Sequence, residues 1–552
     1  MKKKIIGIFV CMLLIVTTIP VIGSMNNKKT TITIERTVIQ PSAMENWTEI
    51  QKLIPTDGEE EDSFGHKVSI SGDYAIIGSP YDDDNGVNSG SAYIYARSGS
   101  IWNQQAKLLA SDGASGDWFG YSVFLDGDTA IIGAYMDDNP IELAGSAYIF
   151  VRNGVTWSQQ AKLIASDSEY IDAFGASVSI SRDTVLIGAP GVDDNGHNSG
   201  AAYVFIRSGT SWTQQAKLLT LDGDTEDNFG WPVSIDGDTA LIGVCEDDDY
   251  GENSGSAYVF IRTGTTWTQQ AKLLASDSAA GDVFGFSVSL DEDIALIGAY
   301  SDNTTVENSG SSYVFVRNNT IWSQQAKLLA SDPTMYAGFG WSVSIYDDYA
   351  VISALGDNLA RGAAYIFKRS NNNWIQEEKL TASDGDIQDW FGCSVSIFED
   401  IIFIGANLDD DNAEDSGSAY VFVKEADNQP PVAPTINGPI KGLPLIPYQF
   451  TFTSTDPDGD DVSYYVDWGD GFITSWTPYQ SSGSPGYSKS HSWTAFDVFT
   501  IKAKVKDING LESAWTNYSF STPRNRVINT VFVNFLGNHQ NLFPILRHLL
   551  GL

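Results

Sequence analysis

Cysteine and histidine are scarce in this 552-residue chain, which contains three cysteines and five histidines. Cys11 lies in an apolar N-terminal run, so only Cys245 and Cys393 remain for a folded domain. We expect both to be buried small apolar residues and not a disulfide framework. The histidines lack metal-ligand spacing, and the sequence has no serine elbow, phosphate loop or zinc motif. These absences argue against an enzyme.

Positive charge is scarce as well. Lysine and arginine total 32 against 70 aspartates and glutamates, which gives a formal net charge of −38. A surface this acidic repels phosphate backbones and excludes nucleic acid as a partner. Divalent cations, basic partners and plain solubility remain as explanations of the acidity.

The N-terminus has the layout of a secretion signal. Lysines at positions 2–4 precede an apolar run from Ile5 to Ile22, and small residues follow at Gly23 and Ser24. An uncleaved membrane anchor is the alternative, but Pro20 and Gly23 interrupt a helix, so we expect cleavage. The sequence therefore predicts a secreted or cell-surface protein.

The dipeptide Phe-Gly recurs seven times at nearly constant spacing. The first five intervals are 55 residues and the last is 52. A period of this length is typical of one supersecondary unit copied in tandem. We expect the phenylalanines to pack between units, beside glycines that allow close backbone approach. They are Phe64, Phe119, Phe174, Phe229, Phe284, Phe339 and Phe391.

Each copy contains four short segments that alternate apolar and polar residues, the pattern of antiparallel strands. In the fourth copy, strands A to D are predicted around Val233–Ile235, Ala240–Val244, Ser256–Ile261 and Trp267–Leu274, with a hairpin turn at Asp236-Gly237-Asp238. Seven such units predict an all-β fold, a seven-bladed β-propeller. A linear stack is the alternative, but it needs capping repeats, and none is present.

The two ends of the repetitive region complement each other. A strand of type D, Trp47–Leu53, precedes the first Phe-Gly, whereas none follows the last strand C at Ala419–Val423. Pairing the two would complete the seventh sheet and close the ring, which removes exposed sheet edges. We therefore predict that the N-terminal strand closes the propeller.

Phe174-Gly175, followed by Gly188-Ala189-Pro190, resembles the FG-GAP repeat of the propeller at the N-terminus of integrin α chains. The resemblance covers about residues 47–424. It implies extracellular ligand binding through the loops between strands, and hence an adhesion or ligand-binding protein.

Integrin-type blades often bind calcium between strands A and B, but here that turn, Ser71-Gly72-Asp73 and its equivalents, is too short to wrap a Ca²⁺ ion. Carboxylates lie between strands B and C instead, where alternate residues could share an ion. Solvated acidic loops are the alternative. The candidate metal ligands are Asp82, Asp84, Asp193, Asn195, Asp247, Asp249, Asp409 and Asp411.

Antiparallel order places the B–C and D–A loops on one face, here named the loop face, and the A–B and C–D turns on the other, here named the turn face. The loop face collects the aspartates, and we take it as the candidate binding surface. A cation follows strand C in each copy, so the turn face is expected to be positive. These cations are Arg97, Arg152, Arg207, Arg262, Arg317, Lys368 with Arg369, and Lys424.

Residues 432–522 resemble the PKD domain, an immunoglobulin-like β-sandwich that serves as a spacer on exported proteins. The resemblance lies in Asp456-Pro457-Asp458-Gly459-Asp460, in residues 464–471 and in His491-Ser492-Trp493. We expect Trp468 in the core and the aspartates in a turn. The tail is apolar but too interrupted to span a bilayer, and association with a membrane surface is one open role.

The predicted organisation is a signal peptide (1–24), an N-terminal linker (25–46), the propeller (47–424), a linker (425–431), the PKD-like sandwich (432–522) and the tail (523–552). We expect a monomer that binds an extracellular protein or glycan. A structural cell-envelope component is the alternative, and a carbohydrate-active enzyme is disfavoured because the carboxylates repeat from copy to copy. Asn46, Asn303, Asn318 and Asn517 begin glycosylation triplets.

Overall fold

The structure is a computed structural model that describes residues 46–138, 141–425 and 428–523, together with residues 534, 535 and 538. The predicted signal peptide, nearly all of the N-terminal linker, part of 425–431 and most of the tail lie outside the described residues. Among the described residues, no helix has the length and hydropathy that a membrane-spanning helix needs. Nearly all the regular structure is β-strand, so the predicted all-β class is confirmed.

Seven antiparallel sheets of four strands follow one another along the chain. In the fourth, strands A to D are Val233–Asp236, Thr239–Val244, Ser256–Thr263 and Thr266–Leu273, close to the predicted bounds. The first three sheets comprise Val68–Ser71, Tyr74–Ser79, Ser91–Ser98 and Ile101–Leu108; Ser122–Asp126, Thr129–Ala134, Ser146–Asn153 and Thr156–Leu163; and Ser177–Ser181, Thr184–Ala189, Ala201–Ser208 and Ser211–Leu218. The last three comprise Ser287–Asp291, Ile294–Ala299, Ser311–Asn318 and Ile321–Leu328; Phe339–Tyr346, Tyr349–Ala354, Ala363–Ser370 and Asn373–Leu380; and Phe391–Phe398, Ile401–Ala406 and Ser418–Lys424, with the N-terminal Trp47–Leu53 as the fourth strand.

The seventh sheet contains both ends of the repetitive region. Trp47–Leu53 pairs antiparallel with Ser418–Lys424, from Trp47 opposite Lys424 to Leu53 opposite Ala419. The register shifts between Glu49 and Gln51, as it does in strand D of the other sheets. The predicted pairing of the two terminal strands is therefore present.

The sixth sheet has a shorter B–C loop, which explains the final interval of 52 residues. The loop contains one turn assigned as helix, Asp357–Ala360, in which Asn358 and Leu359 have φ angles of 49° and 65°. Ala360 also has a positive φ, of 62°. The segment is thus a left-handed turn, a conformation that is costly for residues other than glycine.

Each Phe-Gly lies at the junction with the preceding sheet. Phe119 is fully buried, and its backbone N–H donates to the Ser89 carbonyl beside Gly90. Gly90 has a φ of 81°, and a Cβ there would lie 2.0 Å from the Phe119 carbonyl oxygen, so only glycine fits. The Phe119 ring packs edge-on against Tyr148 at 5.3 Å. The predicted role of Phe-Gly in packing between units is confirmed.

Serines on strand A connect consecutive sheets. Strand A is an edge strand, and its outward N–H groups need acceptors. Ser179 Oγ in the third sheet accepts from the Ile235 N–H of the fourth at 3.1 Å, and both residues are buried. The same bond joins Leu125 to Ser69, Leu290 to Ser234, Ile345 to Ser289, Ile397 to Ser344 and Ile70 to Ser396. The second sheet differs, because Phe124 occupies the serine position.

The C-terminal region forms two sheets around one core. The first comprises Thr435–Asn437, Tyr448–Thr453 and Tyr487–His491, and the second comprises Ile473–Thr474, Val462–Asp467, Val498–Asp507 and Thr516–Ser521. Trp468 and Trp493 are buried in this core, as expected for Trp468. Asp456 Oδ1 accepts from the backbone N–H groups of Asp458 and Asp460, which confirms the predicted turn chemistry.

Candidate functional site: the loop face

A lysine is surrounded by carboxylates on the loop face of the first sheet. Lys107 Nζ lies 2.7 Å from Asp82 Oδ2, 2.8 Å from Asp84 Oδ2 and 3.0 Å from Asp57 Oδ2. The lysine comes from strand D, Asp82 and Asp84 come from the B–C loop, and Asp57 comes from the D–A loop that precedes the sheet. Both loops are therefore tied to the strand by one ammonium group. We call this arrangement the lysine cluster.

Asp82 is the buried member of the cluster, with 2% of its surface exposed. Its Oδ2 also accepts from Ser91 Oγ and from the Tyr93 hydroxyl, each at 3.0 Å. Burial opposes the charge on Lys107, but hydrogen bonds to Asp82 and Asp84 outweigh it and raise the pKa of the lysine above its usual value. Burial, with the charge of Asp82, raises the pKa of Tyr93. The cluster therefore consists of a cation, carboxylates and a neutral phenol at neutral pH.

The lysine cluster recurs in every sheet. Each copy pairs the strand-D lysine with at least one carboxylate from the preceding D–A loop and one from the B–C loop. In the seventh sheet the lysine is Lys52, from the N-terminal strand, so this cluster also joins the two ends of the chain. The copies are Lys162 with Asp112 and Asp137; Lys217 with Asp167 and Asp194; Lys272 with Asp222, Asp247 and Asp249; Lys327 with Asp277 and Asp302; Lys379 with Asp332 and Asp357; and Lys52 with Asp384, Asp409 and Asp411.

The third sheet departs from this pattern. A buried valine, Val192, occupies the position of Asp82, so Asp194 and not Asp193 corresponds to Asp84 and contacts Lys217 at 2.5 Å. Asp193 Oδ1 instead accepts from the Asn198 N–H within the loop. Asn195 Nδ2 donates to the Thr220 carbonyl. The structure therefore does not bring the predicted pair Asp193 and Asn195 together, because the sequence assignment was one residue out of register.

The other three predicted pairs do converge. Asp82 with Asp84, Asp247 with Asp249, and Asp409 with Asp411 each meet at one point, but that point holds the Nζ of Lys107, Lys272 or Lys52. Across the described ranges, no group of three or more His, Cys, Asp and Glu side chains is arranged to hold a metal ion. Calcium binding stays a prediction, and it would have to compete with an ammonium group.

A second set of aspartates shapes the D–A loops. The Asp117 carboxylate accepts from the Ala114 N–H at 2.7 Å. Burial raises the pKa of Asp117 to about 6, although the backbone hydrogen bond opposes the shift. Asp62 and Asp227 occupy the same position in other loops, and burial likewise raises the pKa of each to about 6. Each of these aspartates stabilises a turn by accepting a backbone hydrogen bond within its own loop.

The turn face is not the positive surface that the sequence predicted. Arg97 Nη2 lies 2.7 Å from Asp73 Oδ1 in the A–B turn of its own sheet. The same pairing joins Arg152 to Asp128, Arg207 to Asp183, Arg262 to Asp238, Arg317 to Asp293 and Arg369 to Asp348. The carboxylates of the A–B turns neutralise these cations, so the prediction of a positive turn face was wrong.

Exposed apolar side chains are concentrated on the loop face. They occur in the B–C and D–A loops among polar and acidic residues, whereas those on the turn face occur singly at or beside C–D turns, as at Ile101, Val155 and Ile321. Those on the loop face are Val87, Ile141, Tyr170, Ile171, Leu221, Tyr250, Val306, Met335, Tyr336, Leu359, Ile387 and Trp390. Sequence patterns did not single them out, because they occur alone or in pairs within otherwise polar loops.

Seven four-stranded antiparallel sheets in tandem, with a buried Phe-Gly at each junction, are consistent with a seven-bladed β-propeller. The family model described as FG-GAP repeat matches residues 47–95, 102–150, 157–205, 212–260, 267–315, 322–367 and 374–422, more than half of the chain. The chain belongs to the FG-GAP repeat family. Such repeats indicate a propeller of the binding or adhesion type.

No curated protein matches the chain. Among solved structures, it is similar to the PKD domain of an M14-like peptidase from Thermoplasmatales archaeon SCGC AB-540-F20, with 38% identity over 18% of this chain and 99% of that one and a TM-score of 0.17. A second similarity is to the structure of RS223-Beta-xylosidase, with 10% identity over 46% of this chain and 91% of that one and a TM-score of 0.24. Neither likeness is close enough to bear on function.

Proposed function

We propose that this protein is exported and acts at the cell surface or outside the cell as a binding or adhesion protein, with the loop face as its ligand surface. The seven sheets form a closed propeller in this proposal, and residues 432–522 form a PKD-like sandwich that acts as a spacer. The chain is not an enzyme in this view.

Three observations support closure of the ring. Strand D of the seventh sheet comes from the N-terminus. Ser396 of the seventh sheet accepts from Ile70 of the first, the same bond that links other consecutive sheets. Strand A of every sheet lines one common cavity, which a linear stack would not produce.

The exposed apolar side chains of the loop face carry the proposal. Several exposed apolar side chains on one face, within a polar surround, are typical of interaction surfaces. Leu221 is 87% exposed, and Tyr250 from the neighbouring B–C loop is 59% exposed. The lysine clusters hold these loops to the strands, so the surface is preorganised and little ordering entropy is lost on binding.

The charge of the chain favours a partner with basic residues. With a net charge of −38, the protein attracts a basic surface at long range and repels an acidic one. We propose an extracellular protein or a glycan as the ligand. Whether calcium assists this binding is tested by comparing calcium with a chelator. The side chains of Asn46, Asn303, Asn318 and Asn517 are exposed, so the glycosylation triplets are accessible.

Arrays of extracellular proteins and of glycans test the proposal. The labelled full chain is applied with calcium and with a chelator. We expect binding that weakens as salt rises, because the attraction is partly electrostatic. Leu221→Asp and Tyr250→Asp should each reduce binding to the captured probe by about tenfold or more, as loss of an interface anchor does.

Val155→Asp is the matched control, because Val155 is 72% exposed but lies on a C–D turn of the turn face. It should leave binding unchanged. Loss of binding in Val155→Asp but not in Leu221→Asp would assign the ligand to the turn face and contradict the proposal. Retention of the protein inside the producing cell would contradict the proposed export.

A further inference from the structure

A cavity of about 260 Å³ lies between the A strands of all seven sheets. It begins where the strands follow Phe-Gly, on the side of the loop face, and serines and valines of the strands form its walls. Its volume is close to the lower end of the range found for small-molecule sites. The lining of the cavity contains no residue of the lysine clusters, and it meets the loop face at Trp390.

One position at this cavity varies while its neighbours repeat. The residue after Phe-Gly is His66, Tyr121, Ala176, Trp231, Phe286, Trp341 or Cys393 in successive sheets. The flanking Phe-Gly and the Ser-Val strand that follows are nearly constant, so the repeat itself does not require these side chains. The side chains that differ most between copies therefore lie at this one position, and most of them are aromatic.

The aromatic rings there contact one another across sheets. Tyr121 lies 6.0 Å from Trp231 between ring centroids. Phe286 lies 4.8 Å from Trp341. Trp231, Phe286 and Trp341 are all partly exposed, so their ring surfaces are open to the cavity they line. Partly exposed aromatic rings provide apolar surfaces on which a flat molecule can stack.

Lys67 is the cation of this cavity. Five of the other six sheets have serine at its position, among them Ser122 and Ser177, and the fourth has Pro232. Within the described ranges, the ammonium group of Lys67 makes no hydrogen bond and no ion pair, whereas Lys107 contacts three carboxylates. Burial lowers its pKa.

Lys67 is only partly exposed, and without a carboxylate beside it the charge of its ammonium group costs folding free energy that serine at this position would avoid. Lys67 is therefore poorly explained as a stabilising residue. A ligand carboxylate would supply the missing counter-charge.

We propose that this cavity binds a small carboxylate carried on a ring, with the acid group on Lys67 and the ring against Trp231, Phe286 and Trp341. An acidic sugar and an aromatic acid share this chemistry. The inference goes beyond the proposed function, because the proposed ligand contacts Lys67 and the cavity rings and not Leu221 or Tyr250 of the loop face.

Calorimetric titration of the full chain tests the proposal with three probes. Sodium glucuronate represents an acidic sugar, sodium benzoate an aromatic acid, and glucose the same ring without a carboxylate. We expect saturable binding of glucuronate or benzoate, and glucose at least about tenfold weaker than glucuronate. Whichever acid binds identifies the source of the ring.

Lys67→Ser introduces the residue that most other sheets already have, so the variant should fold. We expect the affinity for the acid to fall by about tenfold or more while the melting temperature rises. Trp341→Ala, which copies the natural Ala176, should also weaken binding. Lys502→Ser removes an exposed lysine of the C-terminal region and should change nothing.

Absence of binding by both acids at about 10 mM would overturn the proposal. So would equal affinity of the unaltered chain and Lys67→Ser, or equal affinity for glucuronate and glucose. A lower melting temperature for Lys67→Ser, with binding unchanged, would show that the lysine is structural.

Discussion

Replacing Lys107 by methionine removes the cation of one lysine cluster while keeping most of the side-chain volume. The buried carboxylate of Asp82 is then left without a counter-charge, although it keeps hydrogen bonds from Ser91 and Tyr93. Removing one partner of a buried ion pair costs about 3–5 kcal/mol. Because the two hydrogen bonds remain, we expect the lower end, ~3 kcal/mol.

That loss converts into a measurable shift in melting temperature. Roughly 380 residues form the seven sheets, and an unfolding entropy of ~2.1 cal/mol/K per residue turns ~3 kcal/mol into a drop of ~4 °C. Differential scanning calorimetry of the full chain at pH 7 resolves a shift of this size.

Lys217→Met is the internal control, because the third sheet has Val192 where the first has Asp82. The carboxylates of Asp167 and Asp194 are nearly half exposed, at 45% and 43%, so they remain solvated when the lysine is lost. Exposed pairs contribute only about 0–1 kcal/mol. Adding Asp82→Val to Lys107→Met should restore most of the lost stability. Equal destabilisation by Lys107→Met and Lys217→Met would refute the reasoning, since it would show that the buried aspartate does not matter.

Three further perturbations test other parts of the fold. Gly120→Ala should prevent soluble expression, because φ is +96° and a Cβ would lie 2.1 Å from a carbonyl oxygen, whereas Gly127→Ala, in an open turn, should cost only about 1 kcal/mol. Ser179→Ala leaves the Ile235 N–H without its acceptor and should lower the melting temperature by the equivalent of about 1–3 kcal/mol. Asp117→Asn should raise the melting temperature at pH 7.5 but not at pH 4. The pKa of Asp117 is about 6 in the folded state and lower in the unfolded state, so the contribution of Asp117 to stability falls as the pH rises from the unfolded to the folded pKa. An equal gain in melting temperature at both pH values would contradict this.

The repeat, its four strands and the pairing of its ends were all predictable from the sequence. Seven copies of one unit reveal which positions alternate and where turns occur, as at Asp236-Gly237-Asp238. Counting the strands of each copy showed that Trp47–Leu53 is one strand too many at the start of the repeats and that the last copy lacks one. The burial of Cys245 and Cys393 as free cysteines was also predicted and is confirmed. These features depend on local pattern and on topology.

The contacts between loops and strands were not predictable in the same way. Lys107 lies on the outermost strand, where alternation indicates a solvent-exposed charge, and only the path of the loops brings Asp57 and Asp82 to it. The pairing of Arg97 with Asp73 could have been found, because the same two residue types recur at a fixed separation in most copies. Aligning the copies would also have revealed Val192. The variable residues at the central cavity differ between copies, so a pattern defined by repetition does not include them.

The terminal pairing of Trp47–Leu53 with Ser418–Lys424 makes the order of synthesis matter. Six sheets can form as their own residues leave the ribosome, but the N-terminal strand must wait for its partner. At about 5–20 residues per second, that delay is roughly 20–75 s. During this delay, the strand Trp47–Leu53, which has an apolar residue at each end, lacks its partner strand and can pair with another nascent copy nearby. When several copies are synthesised close together, exchange of this strand between molecules is therefore favoured. The product would be a swapped dimer with every native hydrogen bond intact.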